Sequence, residues 1–304
     1  MMKRLAPAIL ALFALAGWSA AARADSSTGG AFILAGYGAR VAGMAGAASA
    51  VVDDENAVEW NPARMGLALR TAGASYVDLV PGASLGQSQI AFVTPLCALE
   101  HGVARHALGA MFSNLSADIA GTELYSENHL RVAYAYMPQP VVSVAIGAQL
   151  FFSKSGVSGF DAWGSSMDFA GNLSLSEHWD FAVVGKDLFS RYTFDDGSDT
   201  HKETSVVVGL ATRRVRMLTL SADAVRQYSS WTRGLVGAET DYIFSHVALR
   251  GGLAFNRAGE SRTVPSFGAS LRAFDARLVV HYAATMDDEQ AFGTSHRFAL
   301  AVRL

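Results

Sequence analysis

The chain has 304 residues, a formal net charge of −3, 51% hydrophobic residues and a mean hydropathy of +0.22. That balance excludes nucleic acid as a partner, since such a protein needs a basic surface. Beyond the N-terminus no apolar run approaches the ~18 residues of a spanning helix, and the single cysteine, Cys97, excludes an internal disulfide.

Met1-Met2-Lys3-Arg4, the apolar stretch Leu5 to Trp18 and Ala22-Arg23-Ala24 before Asp25 read as an export signal over residues 1–24. Without Lys3, Arg4 and Arg23 the balance is 21 basic against 27 acidic residues, net −6. An exported chain this apolar, lacking spanning helices, must place its bulky side chains on alternating strands. Only Lys154, Lys186 and Lys202 remain as lysines after cleavage. A sheet exposed to water normally uses lysine to coat faces and blunt edges. Cys97 reads as a small buried residue.

Residues 25–69 form a distinct segment. Gly36, Gly38, Gly43 and Gly46 alternate with alanines through Ala50, a pattern suited to close backbone packing. Asp53-Asp54-Glu55 is expected to open a short helical turn with an Asp as N-cap. Asn61-Pro62 ends it, because the residue before proline leaves the helical region. About 45 residues are too few for a separate core, so the segment is expected to fold as a hatch inside a barrel.

From residue 70 to 304 the sequence divides into about fourteen segments of roughly ten residues with a period of two, as an antiparallel transmembrane β-barrel requires. The fold class is therefore all-β, with a partly helical hatch in the lumen. Val142, Val144, Ile146, Leu150 and Phe152 oppose Ser143, Ala145, Gly147 and Gln149. Phe298, Leu300 and Val302 oppose Arg297, Ala299, Ala301 and Arg303. The pattern is less regular around Tyr76 and around Lys186-Asp187. Long polar connections (residues 113–128, 153–165, 190–203, 227–234, 256–263 and 286–295) alternate with tight ones at 137–140, 176–178, 213–215, 244–245 and 274–275. Outer-membrane barrels show this alternation of outer loops and inner turns. With Phe244-Ser245 as a hairpin tip, Glu239 falls opposite Arg250 on the lumen face, a favourable pair. With Phe274-Asp275 as a tip, Arg272 faces Arg277, which needs a carboxylate such as Asp223 or Asp241. These charges, together with Arg297, are the candidate lumen residues.

Gly38-Ala39-Arg40, Gly43-Met44, Ala45-Gly46-Ala47, Ala50-Val51-Val52-Asp53-Asp54 and Trp60-Asn61-Pro62-Ala63 together resemble the N-terminal signature of FadL-like outer-membrane proteins. The closest branch by this pattern is PorV/PorQ and related uncharacterised barrels. Ala45 and Arg64 depart from it, each standing where glycine is usual. The resemblance implies a fourteen-stranded barrel whose hatch carries Gly43, Met44, Asp53, Asp54, Asn61, Pro62 and Ala63. In the family's fatty-acid transporters, hydrophobic ligands leave sideways beside an inward-kinked third strand. Here that strand is about Ala107 to Ser113, and Gly109 is the expected kink.

The eight histidines include no close metal pair, and there is no nucleophile elbow or phosphate loop. The acidic run Asp195 to Asp199 lacks EF-hand spacing. No enzyme, metal or cofactor is expected. Three functions stay open: passive uptake of small hydrophobic molecules with the hatch controlling access, an interaction role like that of PorV, serving secretion or surface attachment, or a structural barrel or narrow pore without selectivity. The expected partners are outer-membrane lipid, a hydrophobic small-molecule ligand, secretion or envelope proteins, and the barrel-assembly machinery during biogenesis.

Overall fold

The computed structural model describes residues 36–80, 85–98, 104–119, 122–156, 161–215, 217–227, 230–240, 243, 245–256, 261–275, 277–287 and 293–304. The export signal, Asp241 and Phe244 lie outside these residues. Three short helical segments come first: α1 (Ala39–Ala42), α2 (Ala57–Trp60) and a 3-10 helix (Pro62–Leu67). The strands follow as β1 (Thr71–Val80), β2 (Leu85–Ala98), β3 (Ala104–Ile119), β4 (Thr122–Gln139), β5 (Val142–Ser155), β6 (Ala162–Ser176) and β7 (Trp179–Phe194). After the two-residue β8 (Asp199–Thr200) come β9 (Ser205–Val215), β10 (Leu218–Gln227), β11 (Ser230–Thr240) and β12 (Val247–Asn256). The chain closes with β13 (Arg262–Ala273), β14 (Leu278–Asp287) and β15 (Gly293–Arg303).

Neighbouring strands pair antiparallel throughout, β15 pairs with β1, and β7 joins β6 to β9. The result is a closed barrel of fourteen strands, as the alternation predicted, with β8 a short ribbon against the top of β7. Among the described residues, closure pairs every long strand on both sides, which removes the open edges that template aggregation. Side chains sort by face as the period of two requires. Along β5 every second residue from Ser143 to Ser153 is buried while the intervening positions, Val144 to Phe152 among them, are exposed. In β15, Phe298 and Leu300 are exposed, whereas Arg297, Ala299 and Ala301 are buried. Ile90, Phe112, Leu130, Val132, Leu249 and Phe267 continue the outer apolar belt. An exposed belt of that extent suits hydrocarbon rather than water.

The barrel is uneven in height. Strands β2 to β7 run for 14 to 18 residues, while β1 and β9 to β15 run for 10 to 12. Three expectations are corrected here. The polar stretch expected as a 113–128 connection is mostly ladder, since β3 reaches Ile119 and β4 begins at Thr122. Polarity on both faces did not mark the end of pairing there. The tight turn at 213–215 moves two residues on, because β9 continues through Val215. Between β13 and β14 the ladder ends at the pair Ala273 and Leu278, so Arg272 lies opposite Val279 and not Arg277. Arg277 is an exposed turn residue outside the lumen. The pairing of Glu239 with Arg250 is found as expected.

Candidate functional site

Residues 36–68 fill the lumen. The hydrophobic core therefore lies between hatch and wall, with bulk coming from one and space from the other. Tyr37, Val41, Met44, Val52, Val58 and Met65 of the hatch pack on Ala91, Ala107, Ala133, Ala170 and Ala182 of the strands. Glycines complete the fit. A β-carbon on Gly252 would lie 2.4 Å from the Met44 carbonyl carbon, and one on Gly43 would lie 3.1 Å from the Gly268 Cα. Gly109 belongs to the same seat: a β-carbon there would lie 2.4 Å from Val58 and 2.5 Å from the Met65 sulfur. Its ladder is unbroken, with Val93 on one side and Ala133 on the other. The expected kink is thus absent at Gly109; the residue admits the hatch.

Polar contacts then fix the hatch around the circumference. On the side of β10 to β15, Asp223 Oδ2 accepts from the backbone N–H groups of Ala48 at 3.1 Å and Ser49 at 2.9 Å. Arg297 Nη1 donates to the Gly36 carbonyl at 2.6 Å. Arg40 donates to both Glu239 oxygens, at 2.9 and 2.7 Å, and Arg250 bonds to the same carboxylate. Arg40 also reaches Asp53 at 2.5 Å and Asp54 at 2.8 Å. The two aspartates therefore hold an arginine, and neither is the N-cap that their position suggested. Asn56 occupies that position for α2, and its amide donates to Asp54 Oδ1 at 2.9 Å. Asp223 binds hatch amides and does not face an arginine ladder.

On the side of β4 to β7 the contacts are ionic. Glu59 of α2 meets Lys186 at 2.8 Å and Arg131 at 3.1 Å, and Arg131 continues to Asp168 at 2.7 Å. Asn61 is extended as the following proline requires; its Oδ1 accepts from the Ala63 amide at 3.0 Å and its Nδ2 donates to the Ser49 carbonyl at 2.7 Å. Pro62 opens the 3-10 helix, and Ala63 is fully buried. Arg64, the departure from glycine, donates to the Val52 carbonyl and to Asn172 Oδ1, both at 2.9 Å, and lies 3.5 Å from Asp180. It is a staple that the usual glycine could not supply.

Glu59, Arg131, Asp168 and Lys186 were not singled out from sequence as site residues, and Arg40 and Arg64 were marked only as part of the hatch motif and as a departure from it. Arg131 and Asp168 did carry a signal, being charged residues on faces that are otherwise small. Burial and the neighbouring Asp54 push Glu55 up to about 8, and its side chain lies where a β-carbon on Gly73 would be. Beside the hatch a cleft of about 10 Å³, bordered by Tyr37, Ser75, Val77, Gln87, Gln89 and Arg297, has room for about one water.

No protein-family model matches the chain, and no curated protein matches it. Solved structures do. The toluene transporter TbuX of Ralstonia pickettii superposes with a TM-score of 0.64 at 14% identity, covering 90% of this chain and 100% of its own. The P. putida toluene transporter TodX gives 0.62 at 12% identity, covering 89% and 99%. A Pseudomonas aeruginosa FadL homologue gives 0.58 at 12% identity, covering 86% and 97%. The narrower likeness to PorV/PorQ rests on the Gly38 to Ala63 pattern alone. In its fourteen-stranded wall and overall course, the chain has the fold of the FadL-type barrels.

Proposed function

We propose that this chain is an outer-membrane barrel for passive uptake of small hydrophobic molecules, with the hatch controlling access. One observation carries the reading: a closed wall with an apolar exterior encloses a plug that is joined to it by side chains and close packing, not by strand pairing. Such a plug can shift while the ladder stays intact. Residence in lipid follows from the outer belt, and export by residues 1–24 followed by the barrel-assembly machinery would deliver the chain there. The shared fold with toluene transporters supports a hydrocarbon-sized cargo. A water-sized cleft admits no hydrocarbon, so passage requires the hatch to move. Because β3 is continuous at Gly109, the route follows the lumen and not a gap beside the third strand.

The test is toluene uptake into proteoliposomes carrying the intact protein or a variant lacking residues 25–60, both checked for folding by heat-dependent migration. Uptake above protein-free vesicles, faster in the deletion, is the expected result. Two folded proteins that both leave toluene outside would sink the transport reading, and equal rates would remove the gating role. An unbroken wall and a filled lumen are equally compatible with the second reading, an interaction protein like PorV, and that reading is what zero uptake would leave standing.

A further inference from the structure

On the loop side, the inner faces of β4 to β7 form a cup that the Lys202 side chain fills, with Glu127, His129, Phe151 and Tyr192 all buried around it. Its floor is aromatic. His129 stands edge-on to Phe151 with ring centroids 4.9 Å apart, and Phe151 stacks on Tyr192 at 6.0 Å. Into this cup reaches Lys202, from the segment 201–204 that joins β8 to β9. Lys202 is 8% exposed, and its Nζ sits 3.4 Å from the Phe151 ring centroid. Among the described residues no ion pair holds it. The neighbouring carboxylates are engaged elsewhere: Glu127 with His129 and with the Tyr125 hydroxyl at 3.1 Å, Asp187 with Ser166 at 2.9 Å. A buried ammonium capped only by a ring is a costly arrangement.

Charge decides what the cup suits. Glu59, Glu127, Asp168 and Asp187 place four carboxylates in this connected cluster, with Gln149 bridging Asp168 and Asp187. Arg131 and Lys186 answer two of them. Lys202 adds a third positive charge without an ion pair of its own, so the cluster keeps one net negative charge. Without the lysine side chain the cup would be an aromatic face beside two uncompensated carboxylates. That chemistry holds an organic ammonium and repels an organic anion.

The lysine is also mounted so that it can leave. The ladder between β7 and β9 stops at Lys186 and Ser205, and above it only the two-residue β8 joins that side of β7, at Tyr192 and Thr193. The 201–204 segment is attached there largely through side chains. The Lys202 amide donates to Ser190 Oγ at 2.9 Å, His201 Nδ1 bonds the Ser190 carbonyl at 2.6 Å, and Thr204 Oγ1 donates to the Asp187 carbonyl at 3.3 Å. Asp187 and Phe189 have φ of 55° and 53°, left-handed conformations that cost non-glycine residues energy. The strap can lift without breaking a strand pair.

We infer that Lys202 is an internal stand-in for an organic cation, and that the cup binds amphipathic amines, an aromatic ring bearing an ammonium, once the strap lifts. The inference rests on the reading of the lumen as a ligand route, and it adds amines to the neutral hydrocarbons considered above. The experiment is calorimetry on the full-length protein in detergent with phenethylammonium, 2-phenylethanol and 3-phenylpropionate. Lys202→Ala is expected to bind phenethylammonium about tenfold more tightly than the unaltered protein, with no comparable gain for the alcohol or the anion. Adding Phe151→Leu should erase the gain, with heat-dependent migration confirming that each variant is folded. No gain in Lys202→Ala, an equal gain for the alcohol, or a preference for the carboxylate would each overturn the inference. Toluene uptake is read separately: its failure beside an intact amine preference removes the transport reading and leaves the cup, and the reverse outcome removes only the cup.

Discussion

The hatch meets the two sides of the barrel on different terms. Toward the low strands β10 to β15 it offers backbone: α1 packs on β13 to β15, Gly43 touches Gly268, and Asp223 and Arg297 bind amide and carbonyl groups. Toward the tall strands β3 to β7 it offers side chains, with the 3-10 helix packed on β3 to β6 and Glu59 and Arg64 entering charged and amide partners. Among the described residues, Arg40 makes the one fully ionic contact of the hatch on the low side. The contrast separates two jobs. Backbone contacts set where the plug sits, because they need an accurate fit and tolerate little displacement. Buried ion pairs set how hard it is to remove, because separating one strands a charge away from water.

The largest expected effect comes from breaking the tall side. Arg131→Met keeps volume but leaves Glu59 and Asp168 facing each other's charge, which should cost about 3–5 kcal/mol. Loss should appear as a lower unfolding midpoint and as protease cleavage within residues 50–67. The matched low-side change, Asp223→Asn, keeps an acceptor for Ala48 and Ser49 and should cost about 1 kcal/mol. If both changes loosen the hatch equally, the division between seat and anchor is wrong.

Next in size is a pH effect at Glu55. Its proton is held more tightly in the folded hatch, at about 8, than the ordinary 4.5 of an unfolded chain. Folding therefore favours the protonated form. The associated stability is complete below about 4.5 and drains away as pH rises toward 8, by a few kcal/mol in order of magnitude. Glu55→Gln should remove this slope, matching the unaltered protein at pH 4.5 and exceeding it at pH 8.5 in chemical-unfolding midpoint. Equal slopes for the two proteins would show that Glu55 is solvated in place.

Gly109→Ala tests the seat on the tall side and should cost about 1–2 kcal/mol through overpacking against Val58 and Met65. Hydrogen exchange tells its cause. Faster exchange in α2 and the 3-10 helix, with β3 unchanged, fits a glycine that makes room. Faster exchange confined to β3 would restore the kink.

What was legible in the sequence follows the same line between the two sides. The barrel, its strand number and the sorting of faces were readable because alternation is a local property, and so was the Glu239–Arg250 pair, set by a short hairpin. The motif from Gly38 to Ala63 marked the hatch. The Glu59–Arg131–Asp168–Lys186 cluster joins residues on four separate elements, and no spacing announces such a meeting. The connection between β13 and β14 was misread for a related reason. Phe274 and Asp275 both take left-handed φ, 50° and 54°, and residue type alone did not mark where pairing resumes at Leu278.

The smallest expected effect lies at the other departure from the motif. Ala45 turns the chain with φ of 55° just before Gly46 at 85°, at the point where Met44 enters the seat made by Gly237 and Gly252. An alanine in that conformation crowds its own carbonyl, whereas glycine does not. The flexibility that glycine adds to the unfolded chain works against it, so the two effects partly cancel. Ala45→Gly should therefore stabilise the protein by about 0.5–1 kcal/mol, read as a small rise in unfolding midpoint. The gain should persist in an Arg131→Met background, since backbone strain on the low side is independent of an ion pair across the lumen. A gain that vanishes there would mean that the anchor holds Ala45 in its strained turn, and that seat and anchor act as one unit.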